Sequence, residues 1–109
     1  MKKFILAMAA LTFSFGVMSA QDLASATATY NSGAEALTMG NKTSALEYFQ
    51  KALTMAESLG EEGAEVATNC KNAIPSVILS IGKEFYNNKD FSNAKAKFVE
   101  AAEVAKKYG

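Results

Sequence analysis

The fold of this chain is decided by residues 45–60, ALEYFQKALTMAESLG, because their pattern of small and aromatic residues returns at residues 94–109, AKAKFVEAAEVAKKYG. Matching residues lie 49 positions apart, and the match extends upstream to a pair of glycines at the same offset. A match held in one register over this length predicts an internal structural repeat. The identical pairs are Gly33 and Gly82, Ala45 and Ala94, Phe49 and Phe98, Ala52 and Ala101, Ala56 and Ala105, and Gly60 and Gly109.

Apolar and small residues recur at helical spacing along the rest of the chain. In both copies of the repeat they return at intervals of four and three residues, which forms one stripe of a helix. Pro75 lies inside a third stripe that stays in phase across it, so we predict one long kinked helix rather than two. No strand pattern competes, and the sequence predicts an all-α fold. The predicted helices run from Asp22, as N-cap, to about Met39, from about Thr43 to Leu59, from Glu61 onward, and from Phe91 to Tyr108.

A glycine followed by alanine, phenylalanine and alanine at these intervals resembles the tetratricopeptide repeat, a helix-turn-helix unit that stacks on its neighbours and presents a concave face. The resemblance covers residues 26–59 and 75–108 and implies an antiparallel α-solenoid of about two units and four helices. The usual period is about 34 residues, so we place the surplus in residues 61–74, as an extension of the second unit's first helix. The resemblance implies that Gly33 and Gly82 face Ala45 and Ala94, where helices approach closely. The repeat-packing residues are Gly33, Ala45, Phe49, Ala52, Gly82, Ala94, Phe98 and Ala101.

Residues 1–20 have the pattern of a secretory signal peptide, with a basic start, an apolar run and small residues at the end. Cleavage is expected after Ala20 or, alternatively, after Ser19. The apolar run is shorter than the roughly 20 residues of a membrane-spanning helix, and an uncleaved anchor is the remaining alternative. The sequence therefore predicts export, to a bacterial periplasm or beyond, of a domain formed by residues 21–109 with no membrane span.

Composition excludes several classes of function. Removal of residues 1–20 leaves a net charge of −2, because two of the 11 basic residues and none of the 11 acidic residues lie there. Every basic residue is a lysine, and acidic residues are interspersed, so nucleic acid is not an expected partner. The absence of histidine removes the usual general base, a Cys/His nucleophile pair and the ordinary zinc ligand sets. We expect a protein that is not an enzyme and uses no cofactor or metal.

Two local features have alternative interpretations. Glu61, Glu62 and Glu65 are interpreted as the acidic first turn of a helix, and a weak calcium site is the alternative. Cys70 lies on the apolar stripe of the third helix and is interpreted as a small buried core residue. An intermolecular disulfide is the alternative, since the thiol has no internal partner.

In the resembled fold the first helix of each unit lines the concave groove, so residues off the core stripe there are candidate partner contacts. Tyr30 and Tyr86 are favoured, because tyrosine is large, rigid and amphipathic. The alternatives are that Tyr86 packs on the adjacent turn and that Leu37 belongs to the core. Only Lys83 suits the clamping of a C-terminal carboxylate, which is therefore not supported. The candidate groove residues are Tyr30, Leu37, Leu79, Lys83, Tyr86 and Asn87.

These features predict an exported protein-interaction scaffold that binds a peptide or protein on its concave face. One alternative is a self-associating structural subunit of an envelope assembly, a homo-oligomer formed through the open C-terminal end. There, Phe91, Val99 and Val104 are expected to be partly uncovered. Another is the N-terminal part of a longer repeat array. A small-molecule binder would need a closed apolar pocket, which two units hardly provide.

Overall fold

The structure, a computed structural model, describes the backbone of residues 14–109 and the side chains from residue 22 onward. Its described part is all-α, as predicted, and contains no strand. A short 3₁₀ helix, Gly60–Gly63, separates the first pair of helices from the second pair. The helices are α1 (Ser14–Thr38), α2 (Lys42–Glu57), α3 (Ala64–Asn87) and α4 (Phe91–Tyr108).

The helix boundaries test the sequence predictions. The predicted bounds of α4 are confirmed, and α2 ends two residues before the predicted Leu59. The prediction of Asp22 as an N-cap is wrong, because α1 begins at Ser14 and runs through Asp22 without a break. Residues 1–13 of the predicted signal peptide lie outside the described residues, and cleavage stays a prediction. None of the helices formed by residues 14–109 has an apolar stretch long enough to cross a membrane.

The turns that close the two helical pairs have the same geometry. Gly40 has φ +84° and Lys89, its repeat counterpart, has φ +66°, so both residues adopt the left-handed conformation that often ends a helix. The following residues donate equivalent backbone bonds of 2.8 Å, from Asn41 to the carbonyl of Ala36 and from Asp90 to that of Phe85. The repeat therefore extends to the hydrogen bonds that stop its first helices.

The core has residues on all four helices, most of them on α2 and α3. Small residues of α2, such as Ala45 and Ala52, are fully buried on the stripe of Phe49, whose ring lies over Gly33 of α1. Ion pairs join both ends of α2 and α3: Lys42 to Glu84 at 2.5 Å, and Lys71 to Glu57 at 3.7 Å. Since the pairing order reverses along the chain, α2 and α3 run antiparallel. The large side chains with almost no exposure are Phe49, Cys70, Ile74, Val77 and Ile78.

Helix α3 runs without interruption through Pro75, as the phase of its apolar stripe predicts. Proline has no N–H to donate, so the carbonyl one turn earlier loses its helical partner. The apolar residues on both sides of the proline remain buried, Ile74 at 1% exposure and Val77 at 2%. Continuity of the helix therefore rests on the packing of its apolar face.

The glycines of the repeat lie under phenylalanine rings. A Cβ added to Gly33 would lie 2.7 Å from a ring carbon of Phe49, and one added to Gly82 would lie 2.8 Å from a ring carbon of Phe98. The aromatic ring one helical turn beyond Ala45 or Ala94 therefore fills the space above each glycine, and contact of the glycines with these alanines stays a prediction. The other repeat-packing residues are buried, and Phe98 is half-buried.

Candidate functional site

A groove of about 580 Å³ lies between α1 and α3. Tyr30 and Leu37 form its α1 side, which places two of the candidate groove residues opposite the face of α3. The α3 side is formed by Asn69, Asn72, Ala73, Ser76, Val77 and Ser80. The groove is therefore built from the first helix of each repeat unit.

The α3 wall of this groove is a stripe of polar, uncharged side chains. Asn69, Asn72, Ser76 and Ser80 follow one another at intervals of three and four residues, so they share one face of the helix. Primary amides and hydroxyls donate and accept hydrogen bonds without changing charge. The wall can therefore bond a neutral ligand that carries both donors and acceptors.

Tyr30 joins the groove to the core. Its ring lies 5.2 Å from that of Phe49, centroid to centroid and tilted by 45°, and the side chain is partly buried. Because Phe49 is held by Gly33 and by its own burial, the tyrosine ring rests on a fixed support. A supported aromatic ring loses little side-chain entropy on binding.

Three other candidate residues meet in a second depression, of about 280 Å³, at the opposite end of α3. Lys83, Tyr86 and Asn87 line it together with the half-buried ring of Phe98. Tyr86 is 57% exposed, and its ring meets Phe91 edge to face at 5.2 Å. Tyr86 therefore packs on the first residue of α4 and still offers most of its surface to solvent.

The remaining candidate, Leu79, lines neither depression and is 39% exposed. Leu37 is 37% exposed, so it is not a core residue. The amides of Asn69 and Asn72 were not predicted to line the groove, because residues 61–74 were treated only as an extension of the helix. The sequence has a polar stripe there, parallel to the apolar stripe of Cys70, Ile74 and Val77, but such a stripe has the same pattern whether it faces a groove or solvent.

Burial raises the pKa of two side chains in the described part of the chain. Burial raises the pKa of the Cys70 thiol from 9.0 to about 11, so the thiol is protonated at neutral pH. Burial also raises the pKa of Tyr108, with smaller contributions from Glu57 and Cys70. No group of three acidic, histidine or cysteine side chains within residues 22–109 is arranged to hold a metal ion.

No protein-family model, curated protein or solved structure is significantly similar to this chain. The features of the chain that bear on its function are therefore the groove, its uncharged wall and the internal repeat.

Proposed function

We propose that this chain is a protein-interaction module of the tetratricopeptide-repeat type that acts outside the cytoplasm, in a bacterial periplasm or beyond. It binds a peptide or protein segment in the groove between α1 and α3 and performs no catalysis itself. The observation that carries this proposal is the groove lined by Tyr30 and Leu37 on one side and by the Asn/Ser stripe of α3 on the other.

The lining favours a segment of extended polypeptide. A peptide presents alternating N–H donors and C=O acceptors along its backbone, which the amides of Asn69 and Asn72 and the hydroxyls of Ser76 and Ser80 can pair with. Apolar side chains of the same segment can pack on Leu37 and on the exposed edge of Tyr30. Since no charged side chain lines the groove, the bound segment is expected to be uncharged where it lies there.

The repeat supports the choice of an interaction module. Repeat units built of paired helices bury their cores between neighbours and leave a continuous surface on which long ligands lie. In this chain the repeat correspondence extends from the Gly–Phe contacts to the hydrogen bonds of the turns. A second candidate function, a self-associating subunit of an envelope assembly, is supported by the exposure of Phe91 and Val99 on α4.

Peptide capture from a random displayed library tests the groove proposal. Peptides selected on the purified protein should lose binding at least about tenfold when Ser76→Trp fills the groove, because the indole displaces the peptide backbone. Ser92→Trp is the matched control, since Ser92 is also an exposed helical serine but lies on α4. Equal binding by wild type and Ser76→Trp, with selected peptides that respond to Ser92→Trp instead, would overturn the proposal.

A further inference from the structure

The second helices of the two repeat units are not equally covered. In α2, on which α3 packs, Leu53 is 7% exposed. Its counterpart in α4, Ala102, is exposed. The face of α4 that corresponds to the covered face of α2 is therefore open in this chain.

The open face carries apolar side chains where α2 carries polar ones. Phe91 is 55% exposed and Val99 is 47% exposed, and their repeat counterparts are Lys42 and Gln50. Exposed apolar groups gathered on one helix indicate a contact surface. We call this surface the outer face of α4, formed by Phe91, Lys95, Val99, Ala102 and Lys106.

The packing of α3 on α2 indicates which helix would fit the outer face of α4. The 49-residue offset relates α1 to α3 and α2 to α4. In the ion pair of Lys71 with Glu57, the counterpart of Lys71 in α1 is Asp22, and the counterpart of Glu57 in α4 is Lys106. Both charges are reversed, so the attraction between the two positions is kept. Because Asp22 and Lys106 belong to the same chain but to its first and last helices, such a pair would form between two copies.

The other end of the helix pair is also complementary in charge. The ion pair of Glu84 with Lys42 maps to Glu35 and Phe91, and Lys95 lies one helical turn beyond Phe91 on the same face. The charged residues of α1 are all acidic. The charged residues in the outer face of α4, Lys95 and Lys106, are both basic. These opposite charges favour contact between α1 and the outer face of α4. Because each helix carries the same sign at both ends, the antiparallel direction comes from the packing of α3 on α2 and not from these charges.

A small side chain on α1 leaves room for Val99. Ala28 is exposed and, in the register of the two mapped ion pairs, lies near Val99. Phe91 lies near Glu35, at the other end of the contact.

We propose that copies of this chain stack head to tail, with α1 of one copy packed antiparallel on the outer face of α4 of the next. The contact repeats the packing of α3 on α2 within one copy. It joins two different surfaces, so it is heterologous and can continue from copy to copy. This proposal goes beyond peptide binding and does not depend on it, since the outer face of α4 is separate from the groove.

Sedimentation velocity tests the stacking on the purified protein, with its N-terminus determined by mass spectrometry and with a reductant present. The weight-average mass should rise with concentration and pass that of a dimer. Asp22→Lys and Lys106→Glu should each weaken association about threefold to tenfold, because each places like charges at one contact. Lys51→Glu is the control, since Lys51 is an exposed lysine of α2 outside both surfaces.

An equimolar mixture of Asp22→Lys and Lys106→Glu should restore association to within about twofold of wild type, because every contact between unlike copies then joins opposite charges. Ala102→Glu, in the middle of the outer face, should abolish association while the circular dichroism spectrum keeps its helical signal. A protein that is monomeric at every concentration would overturn the proposal. So would a closed dimer whose mass does not respond to Asp22→Lys.

Discussion

At the scale of single residues, the two repeat glycines make the same contact in different surroundings. Gly33 lies under Phe49, which is 2% exposed, and Gly82 lies under the half-buried Phe98. Replacing a helical glycine by alanine gains about 0.5–1 kcal/mol, and overpacking costs about 1–3 kcal/mol. Gly33→Ala should therefore lower the free energy of unfolding by about 1–2 kcal/mol. Gly82→Ala should change it little, because the ring of Phe98 can shift outward. Urea unfolding measures both, and equal losses would contradict this explanation.

The thiol of Cys70 predicts how stability depends on pH. Its pKa rises on folding from 9.0 to about 11 because it is buried. Below pH 9 the thiol is protonated in both states, and above it the unfolded chain binds fewer protons, so the free energy of unfolding falls as pH approaches 11. The raised pKa of Tyr108 acts in the same direction. Urea unfolding at a series of alkaline pH values should show a smaller loss for Cys70→Ala than for wild type. The same loss in both proteins would show that Cys70 is not responsible.

At the scale of the helix, Pro75 should limit the stability of α3. It is partly exposed and lies in the interior of Ala64–Asn87, where it removes a backbone hydrogen bond. Pro75→Ala should therefore raise the free energy of unfolding by about 1–2 kcal/mol, after allowance for the greater freedom of the unfolded chain. Ser76→Ala, at the next position, is the control and should stay within about 0.5 kcal/mol. A loss of stability in Pro75→Ala would contradict this expectation and assign a packing role to the proline ring.

The helices show which features could be predicted from the sequence. The bounds of α4 follow from its stripe of small and aromatic residues and from Asp90, which precedes the helix. The Asp90 carboxylate accepts a hydrogen bond from the backbone N–H of Asn93 and so caps the start of the helix. The start of α1 was not predicted correctly, because an acidic residue that can cap a helix can also lie inside one. Tyr30 and Leu37 line the depression between α1 and α3, and their contact with a partner stays a prediction. Asn69 and Asn72 were missed, since an isolated polar stripe is the same in sequence whether it faces a groove or open solvent.

At the scale of the whole molecule, the chain has two separate surfaces available for contact. The groove lies between α1 and α3, and the outer face of α4 carries Phe91 and Val99. We therefore expect Ser76→Trp to reduce peptide capture without changing the molar mass, and Lys106→Glu to reduce the molar mass without changing peptide capture. Parallel assays of both variants distinguish the two roles. Loss of both properties in either variant would mean that the surfaces are not independent.

The proposed function requires that the groove between α1 and α3 holds the partner. An NMR titration of the ¹⁵N-labelled protein with the tightest peptide selected from the library tests this requirement. The largest shifts should fall on the backbone amides of Tyr30, Leu37, Asn72 and Ser76, with small changes along α4. Shifts concentrated on Phe91, Val99 and Ala102 would contradict the claim, because the peptide would then occupy the outer face of α4.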